Sequence, residues 1–149
     1  MKIVRSDELA KLVRFAPDPT GQTAGDRLTL TLFEVFQVVG EAHIGRFPDM
    51  IEEARRIKRP ARKKVDTTFG SWDLVQGVYW VTYNETVRIP EGAALFLENH
   101  PALAMNGIIQ GSRVVTRWEE VSGALLMIGA KGVHLTEGSP ISVGLMMRL

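Results

Sequence analysis

The densest group of side chains able to do chemistry is the run Arg55-Arg56-Ile57-Lys58-Arg59-Pro60-Ala61-Arg62-Lys63-Lys64, which holds seven of the chain's eighteen basic residues. Such a cluster can neutralise phosphates, so a polyphosphate or nucleic-acid contact is one reading. The run has no aromatic residue to stack a base, and Asp49, Glu52, Glu53 and Asp66 lie close by. A solvated helix end and loop is therefore the favoured reading, and nucleic acid is not an expected partner. His43, His100 and His134 have no ligand-like spacing and no carboxylates arranged around them, so a protein-held metal is not expected. Glu119 and Glu120 are paired carboxylates, but neighbours on a strand point to opposite faces, which favours surface turn residues over an acid–base pair. Trp72, Tyr79, Trp80 and Tyr83 cluster in sequence and read first as core, second as the wall of a base pocket. The patterns G-x-S-x-G, G-x-x-x-x-G-K-[ST] and G-x-G-x-x-G are all absent.

These groups must be carried by a chain of 149 residues, a length that fits one domain over residues 1–149 and leaves room for one ordinary core. Apolar residues make up 45% and charged residues 23%, a balance that argues against a disordered polar tail, a collagen-like repeat and a membrane protein. Lys and Arg number 18 against 17 Asp and Glu, so there is no global field to hold nucleic acid or an acidic membrane. The absence of cysteine removes disulfides, Cys-ligated zinc, iron–sulfur clusters and thiol nucleophiles. No apolar run approaches the roughly 18 residues of a membrane span, and the mixed charges of Met1 to Leu12 do not resemble a signal peptide. A cytoplasmic protein is expected.

A first helix is predicted from Ser6 to Arg14, with Ser6 as N-cap, Asp7 and Glu8 in the first turn and an apolar stripe of Leu9, Leu12 and Val13. Leu28, Leu30 and Leu32 alternate with Thr29 and Thr31, the period of a half-buried strand that can run on through Val39. A second helix is predicted from Pro48 to Lys58, opened by proline and supported by the Glu52–Arg56 pair. From Val78 onward, short β-rich runs at Val78–Tyr83, Thr86–Ile89, Ala93–Leu97, Ile108–Thr116, Ala124–Ile128, Val133–Leu135 and Ile141–Met147 alternate with Gly- and Pro-rich turns. That spacing argues for an all-β sandwich or barrel. His100 to Met105 is the exception, where Pro101 can open and Gly107 can close a short helical turn.

The stretch from Trp72 to Tyr79, followed by Asn84-Glu85-Thr86-Val87-Arg88-Ile89-Pro90, resembles the W-x-L-x-x-G-x-Y and N-E-x-V-x-I-P segments of the dUTPase and dCTP deaminase family, most closely its archaeal dUTPase-like branch. Leu30 to Val35 is similar to that branch's early strand, Ala24-Gly25 to the A-G-Y-D-L of trimeric dUTPases, and Leu103 to Gly107 to the end of the P-R-S-S-L-x-R-x-G motif. Thr136 to Met146 fits the closing turn and strand, and Ile44 to Phe69 matches poorly. The resemblance implies a distorted β-barrel or jelly-roll subunit assembled as a homotrimer, so the expected fold is mainly β with the two short helices read above in its N-terminal half. It implies a deoxynucleoside triphosphate at sites shared between subunits, with magnesium carried on the phosphates rather than bound by the protein.

The chain departs from that pattern where the family does its chemistry. His100-Pro101-Ala102 stands where the family has Arg-Ser-Ser, which removes a guanidinium and two hydroxyls. The hairpin aspartate falls at Thr116 or Trp118, the early aspartate at Thr29 or Arg27 beside Asp26, and Ile128 near the glutamate of the deaminases. The Gly-rich arm that covers the phosphates in many trimeric dUTPases has no counterpart after the last strand. The aligned nucleotide-contacting positions are thus His100, Ala102, Gly107, Thr116 and Trp118, and the remaining candidate bases are Asp26, Glu119 and Glu120. A catalytically impaired or inactive nucleotide-binding or structural homologue is expected, with an active dUTP diphosphatase using a displaced carboxylate as the alternative.

Overall fold

The computed structural model describes residues 1–63 and 68–149. The chain starts with strand β1 (Lys2–Ile3), helix α1 (Ser6–Leu12), strand β2 (Val13–Arg14) and the one-turn helix α2 (Pro19–Gln22). Next come the long strand β3 (Leu28–Val39), the small hairpin β4 (His43–Ile44) and β5 (Ile51–Glu52), and β6 (Arg55–Arg59). Beyond residue 68 follow β7 (Ser71–Leu74), β8 (Gly77–Tyr83), β9 (Thr86–Val87), β10 (Ala93–Asn99), the short helix α3 (Pro101–Ala104) and β11 (Arg113–Val115). The last strands are β12 (Gly123–Ile128), β13 (Val133–Thr136) and β14 (Pro140–Arg148). This is the mainly β architecture expected from the turn spacing.

β3 organises the main sheet because it is long enough to serve two neighbourhoods. Leu28 to Thr31 pair with β14, which continues to β10 and β11, whereas Leu32 to Gln37 pair with β8, which continues to β12. Register shifts between Leu32 and Val35, and between Pro140 and Ser142, bend the sheet where it changes partners. The curled sheet closes around one core: Leu28, Leu30, Leu95, Leu97 and Met146 come from one part, Val35, Tyr79, Val81, Ala124 and Leu126 from the other. All are buried. Leu9 and Leu12 of α1 join the same core, which explains the apolar stripe of the first helix.

Four details of the sequence reading change. Pro48 to Lys58 is not a helix: Pro48–Met50 form a single 3-10 turn, and Arg55–Arg59 are a strand antiparallel to β3, with Val35 opposite Arg59 and Val39 opposite Arg55. The far half of β3 would otherwise leave its backbone groups unpaired along one edge, and the exposed run has no apolar face to anchor a helix. The two short helices of the N-terminal half are therefore α1 and α2, not α1 and this segment. Helix α1 stops at Leu12, with Arg5 in place of Ser6 at its N-cap, since Val13 turns extended to pair with Val87. Ile108–Thr116 contracts to β11, with Ile109 bridging Met127, and the unexpected β7 pairs with β13. Lys64, the last residue of the basic run, lies outside the described residues.

Candidate functional site

The helical turn after β10 is built from its own backbone. His100 takes the N-cap position, and its Nδ1 accepts the Ala102 N–H at 3.1 Å. Burial holds the His100 pKa below its ordinary value, in keeping with an unprotonated acceptor. Pro101 has no N–H, Asn106 donates its amide to the Ala102 carbonyl at 2.7 Å, and Gly107 closes the turn at a φ of 76°. Buried Leu103 fixes the turn on the core. His100, Ala102 and Gly107 thus do lie together, but the first is occupied as a cap and the other two have no side-chain donor.

Beneath this turn runs a chain of buried polar contacts that sequence reasoning missed. Asn99 donates to the Ile108 carbonyl at 2.7 Å, and Gln110 donates to the Ile141 carbonyl at 3.0 Å while accepting from the Ser142 hydroxyl at 2.6 Å. Ser142 Oγ meets the Tyr83 hydroxyl at 2.5 Å, and Arg113 donates to Tyr83 at 3.0 Å and to the Gly123 carbonyl at 2.6 Å. Burial, the largest influence, pushes the Tyr83 phenol up, so it stays neutral and able to share its proton in this network. The only signal in the sequence was an arginine and a glutamine set among β-branched residues. Arg113 also borders a groove of about 380 Å³ on the outer side of β10, β11 and β14, where Arg27 and Glu98 flank Phe96, Val114 and Leu145.

The remaining candidates disperse. Asp26 accepts the Ser6 N–H at 2.7 Å and the Ser6 hydroxyl at 2.9 Å, and pairs with Arg5 at 3.0 Å. It closes the start of α1, and these bonds, chiefly the one from the Ser6 N–H, hold its carboxyl below the usual aspartate range. Glu119 and Glu120 sit with Trp118 in a 3-10 turn, as the reading of exposed turn residues anticipated, and Thr116 is exposed ahead of them. Trp118 and Glu119 line a second cleft, of about 510 Å³, together with Lys11, Arg14 and Arg88. Of the aromatic cluster, Trp72, Tyr79 and Tyr83 are core, while Trp80 is partly exposed under the Arg56 guanidinium, 4.3 Å from the ring centre.

Three residues of the basic run are engaged within the fold. Lys58 pairs with Glu34 at 2.6 Å, Arg59 donates to Gln37 at 3.0 Å, and Arg56 covers Trp80. Among the described residues no three His, Cys, Asp or Glu side chains stand close enough to hold a metal ion. Nor is any helix among them long and apolar enough to cross a membrane.

No protein-family model matches the sequence, and no curated protein matches it. The fold does have solved counterparts. The 2'-deoxycytidine 5'-triphosphate deaminase from Agrobacterium tumefaciens superposes on 97% of this chain with a TM-score of 0.61 at 11% identity. The chain spans about half, 48%, of the length of that protein. The likeness shows a shared fold, the dUTPase-like one.

Proposed function

We propose that this chain is a dUTPase-like nucleotide-binding protein of the cytoplasm, impaired in hydrolysis and working as a homotrimer. The observation that carries the reading is the turn from His100 to Ala104. Where a phosphate-binding turn needs free N–H groups, hydroxyls or a guanidinium, Pro101 has no N–H and the Ala102 N–H is given to His100 Nδ1. The groove supplies an apolar wall beside the exposed Arg27, with Arg113 behind it held by Tyr83 and Gly123, and is suited to contact with a second copy and with an anionic ligand at the seam. In such a site this chain's residues bind and orient; any magnesium would arrive on the phosphates of the nucleotide.

General-base catalysis contributes about 100- to 10,000-fold, and loss of phosphate donors deepens the deficit. Turnover of dUTP or dCTP with magnesium is expected at least about 1,000-fold below a median enzyme rate of about 10 per second. Rapid pyrophosphate or ammonia release by protein free of contaminating enzymes would overturn the reading. A specific placement favours one second reading: Glu119 is the candidate carboxylate that faces a cation-lined cleft, so an active diphosphatase with a displaced base would lose its activity in Glu119→Gln.

A further inference from the structure

Lys11, Arg14 and Arg88 reach the same cleft from three adjacent pieces of backbone. Lys11 lies in the last turn of α1, Arg14 follows in β2, and Arg14 is paired directly with Thr86 of β9. Arg88 is two residues beyond Thr86, so Arg14, Thr86 and Arg88 share one face of the small ladder. The Arg88 N–H donates to the Leu12 carbonyl at 2.8 Å, which ties the end of the helix to the ladder. Trp118 lines the same cleft, partly exposed, its ring in contact with Tyr83 at a centroid distance of 6.0 Å. Among the described residues the one acid lining the cleft is Glu119.

Charge and pairing set this place apart from the basic strand β6. Among the described residues, Arg14, Arg88 and Lys11 take part in none of the ion pairs, and Glu8, whose charge also feels Lys11, is bonded to Arg148. Three like charges held around one concavity with a single opposing carboxylate repel one another, and an anion in the cleft relieves that repulsion. An indole beside the cations adds a flat apolar surface of the kind on which a base can stack.

We propose that this cleft is a polyphosphate-binding site, taking the phosphate chain directly on Lys11, Arg14 and Arg88 and requiring no divalent cation. Arginine forks match phosphate oxygens two at a time, and the lysine adds a point charge. Magnesium on the phosphates would cancel part of the charge these residues recognise, so it weakens binding here. The site is separate from the groove at Arg113 and does not depend on whether the protein hydrolyses nucleotides.

The test is a titration of the full chain with sodium triphosphate in EDTA, followed by tryptophan fluorescence and by calorimetry, and then repeated with excess magnesium and with dUTP. Expected are saturable binding that weakens with magnesium and with added salt, a fluorescence change lost in Trp118→Phe, and affinity lowered on the order of 100-fold in the Arg14→Gln/Arg88→Gln double variant. Both arginines are exposed, so the double variant should melt like the parent. Lys11→Gln, on a different element, should give a loss on the order of tenfold by itself. Binding of dUTP tighter than triphosphate assigns a stacked base to Trp118, and equal affinities assign the site to the phosphate chain alone; both support the proposal. Failure of triphosphate to bind, a requirement for magnesium, or affinity unchanged in the double variant would overturn it.

Discussion

Glu85 is only 2% exposed, and its carboxylate accepts the Thr31 N–H at 2.7 Å, the Thr31 hydroxyl at 2.5 Å and the Gln22 amide at 2.9 Å. Its neighbour Asn84 donates to Thr31 Oγ1 and to the Leu32 carbonyl, both at 3.0 Å. The Asn-Glu pair that carries a family resemblance in the sequence is therefore a clamp that fastens α2 and the turn after β8 to β3. Glu85→Gln would present an amide NH2 to groups that are themselves donors, and is expected to cost about 2 to 3 kcal/mol, a fall of roughly 4 to 12 °C in melting temperature. Asp26 supports a prediction with a definite pH sign. Its folded pKa is depressed, so its contribution is present above the unfolded aspartate pKa near 3.8 and is lost as pH falls through the folded value. Asp26→Asn should be less stable than the parent at neutral pH and should show a shallower loss of stability below about pH 4, measured by urea unfolding across that range.

At the scale of elements, α3 depends on a neutral imidazole. Because burial depresses the His100 pKa from 6.5, its contribution is full above that value and is lost as pH falls through the lower folded value. Protonating Nδ1 removes the acceptor of the Ala102 N–H, so exchange protection of that amide should hold down to pH 6.5 and drop only as pH falls below it, through the depressed folded value. In His100→Asn, a capping residue that does not titrate, the protection should become independent of pH. Strand β6 makes a different point about elements. Basic residues that would complement a helix C-terminus serve instead as the outer row of a sheet, three of them set over a β3 or β8 partner: Lys58 on Glu34, Arg59 on Gln37, Arg56 on Trp80.

For the whole molecule, the outer face of β10, β11 and β14 leaves Phe96 and Val114 exposed beside Leu145 and Met147, along the groove that contains Arg113. Closed symmetric assembly is the economical way to cover such a face in a β chain. Light scattering at micromolar concentration is expected to give three times the chain mass, and Val114→Glu should reduce it to one chain with the fold retained by circular dichroism. A monomeric parent protein would remove the shared groove from the reading of function while leaving the proposed polyphosphate cleft, which Lys11, Arg14, Arg88 and Trp118 of one chain line, in place.

Local chemistry wrote much of this fold into the sequence. The alternating leucines of β3, the turn punctuation after residue 77 and the proline and glycine that bracket α3 are each determined by neighbours a few residues away and form as read, and Leu9 and Leu12 of the first apolar stripe reach the core although Val13 leaves the helix for a strand. The absence of an Arg-Ser-Ser turn was likewise a matter of residue identity. Tertiary structure decided what depended on distant partners. Arg55 to Arg59 is a strand because β3 offers an unpaired edge, Asp26 is a helix closure because Ser6 folds against it, and Arg113 is anchored because Tyr83 and Gly123 meet it from other strands. The gathering of Lys11, Arg14, Arg88 and Trp118 belongs with these, for a long-range sheet contact has no periodicity of its own and brings together residues that nothing in the linear order connects.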